Sequence, residues 1–260
     1  PYEPPRLMLV SDLHYMSGST HDEGKAFWNL VKSDDGKAHQ YSEQLLEALA
    51  ARALEEKPSA LVLSGDITLN GEKENHLELA KKLKEIQDGG VPVVVIPGNH
   101  DIGKVSRASI DNYKKNYGET HFSFRYGDCA FIGIDSNIIK EEDKEREEVQ
   151  FKWLEQELQK TKDARFKFVF THCSVFLKRM DEPVNYSNFS LPMREKYVRL
   201  FQKYGVNAIF AGHLHNNAYG KVGNMEMITI GPVGKVLGTG YQGMNLVKVY
   251  PDRFISEFIG

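Results

Sequence analysis

Two patterns in the sequence predict an α/β fold. In the first half of the chain, short apolar runs of strand length alternate with amphipathic helical segments, the rhythm of βαβ units that build a helix-covered sheet. From Ala218 onward, strands separated by glycines indicate a second, antiparallel sheet. Because the 260 residues contain no repeat, no low-complexity segment and no linker, we expect a single domain over residues 1–260.

In the first half, strands and helices follow one another in regular order. The helix predicted at 41–57 has a stripe of leucines on one face and is ended by Pro58. The helix predicted at 74–87 is ended by Gly89-Gly90. The strands of this half are predicted at 6–11, 60–64 and 91–96.

The second half contains more strands than helices. A hairpin is predicted over 120–135, with its turn at Gly127-Asp128. A run of charged residues at 141–148 leads into the helix predicted at 147–162, and we expect this run to be solvated. The remaining elements are a helix at 193–204 and strands at 166–171, 208–211, 225–230, 243–250 and 254–259.

Charge and cysteine content exclude some classes of function. Lys and Arg number 33 and Asp and Glu 36, so the formal net charge is -3 and no broad basic surface favours extended nucleic-acid binding. The two cysteines, Cys129 and Cys173, are too few for a cysteine-rich metal site. Any metal must therefore be bound by nitrogen and oxygen, and a disulfide between the two cysteines stays open.

Location and assembly are not decided by the sequence. No apolar run approaches the roughly 18–20 residues that cross a bilayer, so we expect no transmembrane segment. Because the chain begins with Pro1 and not with Met, we expect that the natural N-terminus has been trimmed, and whether a signal peptide or lipid anchor preceded Pro1 stays open. Cytoplasmic, secreted and lipid-anchored bacterial locations all stay open, as does the oligomeric state.

Polar side chains follow five predicted strands at their C-terminal ends, where open α/β sheets bind ligands. Each fragment alone has an ordinary explanation, because Asp-x-His is commonly a turn or a helix cap and Gly-Asp is commonly a tight turn. Five such fragments in order, each at a strand end, favour one shared site. Its candidate residues are Asp12, His14, Asp66, Asn99, His100, Asp101, His172, His213 and His215.

The donor atoms in this set suit metal ions. Two carboxylates, four imidazoles and one amide oxygen suffice for two ions if one carboxylate bridges them, and Asp66 is the natural bridge. Two divalent ions about 3.5–4 Å apart activate a water molecule and neutralise a phosphoryl group. We therefore expect two divalent transition-metal ions as cofactors, with Mn, Fe, Zn, Co or Ni preferred over Ca. The expected partner is a small phosphate-ester substrate.

The same fragments resemble the calcineurin-like metallophosphoesterase superfamily, whose pattern is Asp-x-His, Gly-Asp, Gly-Asn-His-Asp/Glu, His and Gly-His-x-His. The resemblance implies a four-layer αββα sandwich, in which two mixed β-sheets are flanked by helices. It makes His100 the catalytic imidazole, which binds the phosphoryl oxygen or protonates the leaving alkoxide, with Asp101 fixing its orientation. It assigns one metal to Asp12, His14, Asp66 and His215, and the other to Asp66, Asn99, His172 and His213.

Segments 24–27, 41–43 and 70–80 further resemble a Gram-positive bacterial subgroup that is similar to the class III cyclic-nucleotide phosphodiesterases. This resemblance favours a phosphodiesterase that acts on a nucleotide-type substrate by attack of a metal-bridging hydroxide. The alternative is a phosphomonoesterase or nucleotide pyrophosphatase with the same site. A non-catalytic scaffold is disfavoured, because scaffolds of the superfamily have lost the catalytic imidazole, whereas His100 is present here.

Two segments are expected to border the site. Residues 15–40 form an insertion whose aromatic side chains either stack on a base or pack on the domain. Residues 174–190 form a second candidate wall, in which Arg179 is expected to be solvated. Cys173 is interpreted as a small buried side chain beside the site, and His76 is placed on a polar helix face.

Overall fold

The computed structural model describes residues 4–33 and 35–260. Its strands are β1 (Arg6–Val10), β2 (Ala60–Ser64), β3 (Val93–Ile96), β4 (Phe122–Tyr126), β5 (Cys129–Gly133), β6 (Phe166–Phe170), β7 (Ala208–Ala211), β8 (Ala218–Val222), β9 (Met225–Thr229), β10 (Met244–Val249) and β11 (Phe254–Ile259). Its α-helices are α1 (Lys25–Lys32), α2 (Ser42–Glu56), α3 (Lys73–Asp88), α4 (Asn99–Ile102), α5 (Arg107–Tyr117), α6 (Asn137–Lys140), α7 (Lys144–Lys160) and α8 (Leu191–Lys203).

These strands form two mixed sheets. The five-stranded sheet has the order β11-β10-β1-β2-β3. Strands β1, β2 and β3 pair in parallel, whereas β10 pairs antiparallel with both β1 and β11. The six-stranded sheet has the order β4-β5-β6-β7-β9-β8, with antiparallel strands at its two edges. The prediction of two mixed sheets flanked by helices in an αββα arrangement is confirmed.

The four layers follow from the alternation of side chains along the buried strands. In β1, Leu7 and Leu9 pack in the apolar cluster between the sheets, which also contains Phe168. Met8 and Val10 point the other way, into the cluster that includes the buried leucines of α2 and α3. A third cluster joins the outer face of the six-stranded sheet to α7 and α8. Each sheet is thus covered by the other sheet on one face and by helices on the other.

The strands after Ala218 do not form the separate antiparallel sheet that was predicted. β8 and β9 complete the six-stranded sheet, whereas β10 pairs with β1 and carries β11 at the edge of the five-stranded sheet. Leu246 and Val247 of β10 are buried on opposite faces, one under the helices and one between the sheets. The sequence pattern identifies these residues as strand-forming, but only the fold selects their partners.

Helix α7 begins earlier than predicted, at Lys144, inside the charged run expected to be solvated. Glu147 in this run is buried and accepts hydrogen bonds from the Tyr197 hydroxyl (2.7 Å) and the Lys196 ammonium (2.7 Å) on α8. The prediction is therefore wrong at Glu147, because a tertiary partner satisfies its charge. Helices α1 and α5 lie in segments for which no element was predicted.

The two cysteines are buried thiols, and no disulfide joins them in the part of the chain that is described. Burial raises the pKa of Cys173 to about 12, which agrees with its interpretation as a small buried side chain. None of the helices within 4–33 and 35–260 is both long enough and apolar enough to cross a membrane.

Candidate metal centre

The site is built where the C-terminal ends of β1, β2, β3, β6 and β7 meet. Main-chain hydrogen bonds continue past β1 and β2, because Asp12 N–H donates to the Gly65 carbonyl (3.1 Å) and His14 N–H donates to the Asp66 carbonyl (2.9 Å). From the other sheet, His213 N–H donates to Asp12 Oδ2 (3.0 Å). The loops that carry the candidate ligands are therefore fixed to one another.

Five candidate ligands have left-handed backbones, with φ between 49° and 68°. Residues other than glycine rarely adopt this conformation, which costs about 1–3 kcal/mol each where the surrounding structure imposes it. Such strain concentrates at functional sites, and here it turns the side chains of adjacent strand ends toward one point. The five residues are Asp12, His14, Asp66, His213 and His215.

Two glycines in the motifs allow the loops to approach this closely. A Cβ atom at Gly98 would overlap Asp66, and a Cβ atom at Gly212 would overlap Ser11. Glycine is therefore a steric requirement in the Gly-Asn-His-Asp and Gly-His-x-His fragments.

The first group of potential ligands consists of Asp12, His14, Asp66 and His215, whose ligand atoms lie within 4.8 Å of one another. His215 Nε2 is 3.1 Å from His14 Nε2 and 3.4 Å from Asp12 Oδ1. Asp12 Oδ1 is buried and has no hydrogen-bond partner within the described ranges. A cation between these atoms would satisfy all of them, so the residues present fit a metal ion. They are the four residues predicted for one metal.

The second group consists of Asp66, His172 and His213, within the same 4.8 Å limit. His172 Nε2 is 3.2 Å from Asp66 Oδ2 and 3.1 Å from His213 Nδ1. Asn99 Oδ1 lies 3.2 Å from His172 Nε2 and brings an amide oxygen to the same place. The structure thus also gathers the four residues predicted for the other metal.

Asp66 belongs to both groups. Its Oδ2 lies 3.2 Å from His172 Nε2 and 3.9 Å from His14 Nε2. Its Oδ1 accepts a hydrogen bond of 2.7 Å from His100 N–H. One carboxylate oxygen is held by the main chain while the other lies between the groups, which is the geometry of a bridging ligand.

Three imidazoles are oriented by main-chain carbonyls at their outer ring nitrogens. A carbonyl oxygen only accepts, so the outer nitrogen carries the proton and the inner nitrogen of a neutral ring offers a lone pair. Metal-ligating histidines are commonly held in this way. The contacts are His172 Nδ1 to Ser64 O (2.8 Å), His213 Nε2 to Tyr186 O (3.2 Å) and His215 Nδ1 to Lys235 O (2.7 Å).

The electrostatics of the metal-free chain reflect burial and one ion pair. Burial raises the pKa of Asp12 and lowers the pKa of His213 to about 3. For Asp66, burial opposes ionisation, but His172 holds the pKa of the carboxyl well below its ordinary value. For His172, burial opposes protonation, but Asp66 raises the pKa to about 9. Asp66 and His172 therefore form an ion pair, in which a metal ion would take the place of the histidine proton.

His100 lies at the edge of the centre, half-buried, with its ring centroid 5.0 Å from that of His14. Its Nδ1 is 2.9 Å from Asn70 Oδ1, so Asn70 positions the ring and Nε2 is left for a ligand. The sequence analysis gave Asn70 no role. The available signal was its place in the loop that directly follows the Gly-Asp fragment.

Asp101 acts on the main chain, not on the His100 ring. Its buried carboxylate accepts hydrogen bonds from Gly98 N–H (2.8 Å), Thr68 N–H (2.8 Å) and Thr68 Oγ1 (2.7 Å). Asp101 was expected to fix the orientation of His100; its hydrogen bonds hold the loop from which His100 extends, whereas the ring itself contacts Asn70. The placement of His76 on a polar helix face is wrong, because His76 is fully buried and its Nε2 lies 3.1 Å from the Asp101 carbonyl oxygen.

In segment 15–40, Phe27 is buried and its ring stacks on His21 at 4.2 Å between centroids. Phe27 therefore packs on the protein, which is one of the two alternatives considered. In segment 174–190, Arg179 is exposed and paired with Asp181, as expected.

Tyr186 brings segment 174–190 to the centre. Its ring lies 4.5 Å from the His213 ring, and its hydroxyl oxygen accepts a hydrogen bond of 3.2 Å from Asn99 Nδ2. His213 and the neighbouring Asn99 thus both contact one tyrosine, whose side chain is otherwise exposed.

Residues 5–217 match the family described as calcineurin-like phosphoesterase. The chain belongs to the calcineurin-like phosphoesterase family. Among curated proteins it is 29% identical over 233 residues to the serine/threonine-protein phosphatase CPPED1 of Rattus norvegicus, covering 86% of this chain and 74% of that protein. It is 32% identical over 212 residues to the probable glycerophosphodiester phosphodiesterase GpdQ of Arcobacter nitrofigilis, covering 80% and 71%.

Among solved structures, a dimetal phosphatase from Danio rerio superposes with a TM-score of 0.70 at 15% identity, covering 98% of this chain and 96% of that one. At this identity the likeness concerns the fold. The family and the two ligand groups together indicate that this calcineurin-like phosphoesterase has a dinuclear centre for divalent metals.

Proposed function

We propose that this calcineurin-like phosphoesterase hydrolyses phosphodiesters of nucleotide type at the centre described above. The observation that carries the hydrolytic function is the position of Asp66 in both ligand groups, with the main-chain N–H of His100 hydrogen-bonded to it and the His100 ring 5.0 Å from the His14 ring. Asp12, His14, Asp66 and His215 would hold one metal ion, and Asp66, Asn99, His172 and His213 the other. When bound, such ions lower the pKa of water and neutralise charge on a phosphoryl group.

His100 is proposed as the catalytic imidazole. Asn70 accepts from Nδ1–H, so Nε2 is the nitrogen available to donate a proton to the leaving oxygen or to a phosphoryl oxygen. Asp101 is proposed as a positioning residue, because its carboxylate fixes the loops that carry Asp66 and His100.

The preference for diesters is the finer part of the proposal. The resemblance of three segments to cyclic-nucleotide phosphodiesterases and the similarity to GpdQ support it. The second candidate is phosphomonoester hydrolysis, which is favoured by the similarity to the serine/threonine-protein phosphatase CPPED1.

We also propose that residues 1–260 act as one domain, a proposal supported by the pairing of β10 with β1.

A comparison of two chromogenic substrates tests the proposal. With added Mn²⁺, we expect the chain to hydrolyse bis-p-nitrophenyl phosphate with a higher kcat/KM than p-nitrophenyl phosphate. The reverse ranking would establish the monoester candidate in its place, and no hydrolysis of either ester with Mn²⁺, Fe²⁺ or Zn²⁺ would contradict both.

The variant His100→Ala tests the proposed role of the imidazole. Its metal content should stay near two ions per chain while kcat falls by about a hundredfold or more, the range for loss of a general acid. His121→Ala is the matched control, because His121 packs on Trp153 and has no contact with either ligand group within the described residues. Loss of both metals in His100→Ala would contradict the assigned role.

A further inference from the structure

Lys37 connects segment 15–40 to the catalytic residues. Its side chain is only 8% exposed, although the segment lies at the protein surface. Its Nζ lies 3.5 Å from Asn70 Oδ1, the same atom that contacts His100 Nδ1 at 2.9 Å. Asn70 therefore links Lys37, a lysine outside the metal motifs, to the proposed catalytic imidazole.

The positive charge of Lys37 lies close to the first ligand group. Its Nζ is 3.5 Å from Asn70 Oδ1, which contacts the His100 ring, and the centroid of that ring is 5.0 Å from the centroid of the His14 ring. Lys37 thus adds positive charge beside the part of the site where the phosphate group of a substrate would bind.

Within residues 4–33 and 35–260, the contacts of Lys37 do not saturate its ammonium group. It has three hydrogens, and its distances to Asn70 Oδ1 (3.5 Å) and Asp35 Oδ2 (3.4 Å) are both long. Both acceptor groups have closer partners, since Asp35 Oδ1 is 2.8 Å from His39 Nε2. Asp35 is thus held by His39 as well as by its long ion pair with Lys37, and Asn70 is held by His100 as well as by Lys37. With both contacts long, the ammonium can engage a further anion.

We propose that Lys37 is a substrate-binding residue whose ammonium contacts an anionic oxygen of the phosphate group bound between the metal centre and His100. This inference rests on the proposed function, because the anion is the phosphate of the ester being hydrolysed. A lysine ammonium is a compact charge that suits a phosphate oxygen, and its partial burial strengthens the attraction. Segment 15–40 would then contribute to substrate binding through charge and not through base stacking.

The test uses the Mn²⁺-loaded protein and its variants Lys37→Met, Lys37→Gln and Lys37→Arg. Inorganic phosphate binding is measured by calorimetry, and KM and kcat are measured with bis-p-nitrophenyl phosphate. Lys32→Met is the matched control, because Lys32 is an exposed lysine of the same segment. Thermal unfolding midpoints and metal contents verify that each variant is folded and loaded.

We expect Lys37→Met to raise the Kd of phosphate and the KM of the ester by about 10- to 100-fold, the range for losing a hydrogen bond to a charged group. Its kcat should stay within about threefold, Lys37→Arg should recover part of the affinity, and Lys32→Met should match the wild type. The phosphate affinity of the wild type should also fall more steeply with added NaCl than that of Lys37→Met.

Two results would overturn the inference. If Lys37→Met lowers kcat but leaves the phosphate Kd and KM unchanged, Lys37 only supports Asn70 and His100. If Lys37→Met is misfolded and the charge-retaining Lys37→Arg is folded but binds phosphate no better than Lys37→Gln, the charge is not used in binding. Failure of the proposed function would be distinguishable, because the wild type would then bind phosphate in a Lys37-dependent manner without hydrolysing either ester.

Discussion

The two sheets supply different chemistry to the same centre. The loops after strands of the five-stranded sheet provide both carboxylates, together with His14 and Asn99, whereas those of the six-stranded sheet provide only imidazoles. The negative charge that attracts two cations therefore comes from one sheet, and most of the neutral nitrogen donors come from the other. A complete centre exists only where the sheets pack together, so metal binding reports on their docking.

The two sides also differ in how their ligands are held. His172, His213 and His215 each have a main-chain carbonyl at the outer nitrogen. His14 Nδ1 is buried with no such partner in residues 4–33 and 35–260. On the five-stranded side the ligands are instead placed by main-chain bonds between neighbouring loops, such as His14 N–H to the Asp66 carbonyl. Orientation thus comes from side-chain contacts on one side and from backbone conformation on the other.

The largest expected effect is that of Asp66→Asn, which removes the ligand that the two groups share. We expect the variant to lose both metals on dialysis and its activity to fall below that of His100→Ala. Metal analysis by mass spectrometry gives the ion count per chain. Retention of two tightly bound ions would show that the two ligand groups form separate sites and that Asp66 is not a bridge.

Variants that each lack one imidazole, from one ligand group or the other, should show whether the two groups bind metal independently. We expect His14→Ala and His213→Ala each to keep about one ion per chain, because each leaves the other ligand group complete. Metal titrations followed by calorimetry would give the affinity of the ion that remains. If either variant lost both ions, the groups would be cooperative rather than separable.

Asp135, which follows β5 on the six-stranded side, predicts a pH effect on stability. Burial raises the pKa of this carboxyl to about 7, despite hydrogen bonds from Asn137. In the unfolded chain it ionises near its ordinary pKa of 3.8. The folded state therefore binds the extra proton between these values, and raising the pH from about 4 to about 7 favours unfolding, by up to about 4 kcal/mol.

Urea denaturation of the metal-free chain at several pH values measures this contribution. Asp135→Asn should lack this contribution, because the amide does not titrate, so its free energy of unfolding relative to that of the wild type should rise between about pH 4 and about pH 7. Other buried groups, such as Asp12 and His213, titrate equally in both proteins and cancel in this difference. Asp111→Asn, at an exposed position on α5, is the control and should retain the slope of the wild type. An unchanged slope in Asp135→Asn would mean that other groups cause the pH dependence.

A smaller effect is expected from Arg194, which fixes segment 174–190. Its buried guanidinium donates to the carbonyls of Glu182 (2.7 Å), Phe189 (2.8 Å) and Met180 (3.0 Å). Arg194→Met leaves these carbonyls without their donor and should lower the free energy of unfolding by about 3 kcal/mol.

The matched control is Arg199→Met on the same helix, where the arginine is exposed and only weakly paired with Glu195. Its effect should stay within about 0.5 kcal/mol. Equal urea midpoints for the two variants would show that segment 174–190 does not depend on Arg194.

The sequence by itself determined which residues could form the site and which elements carry them. Asp12, Asp66 and His213 were identifiable because each directly follows an apolar strand, and local order along the chain is what a sequence records. Most strand positions and the longer core helices were predictable for the same reason, since side-chain periodicity is a local property, whereas α1 and α5 were not predicted.

Only the tertiary structure decided which distant groups meet. The pairing of β10 with β1, the burial of Glu147 against Tyr197 and the contact of Asn70 with His100 all depend on packing between segments far apart or on loop conformation. The reach of Lys37 toward Asn70 is of the same kind. Charge and residue type do not reveal such contacts, because a buried partner can reverse the solvation that a polar side chain would otherwise favour.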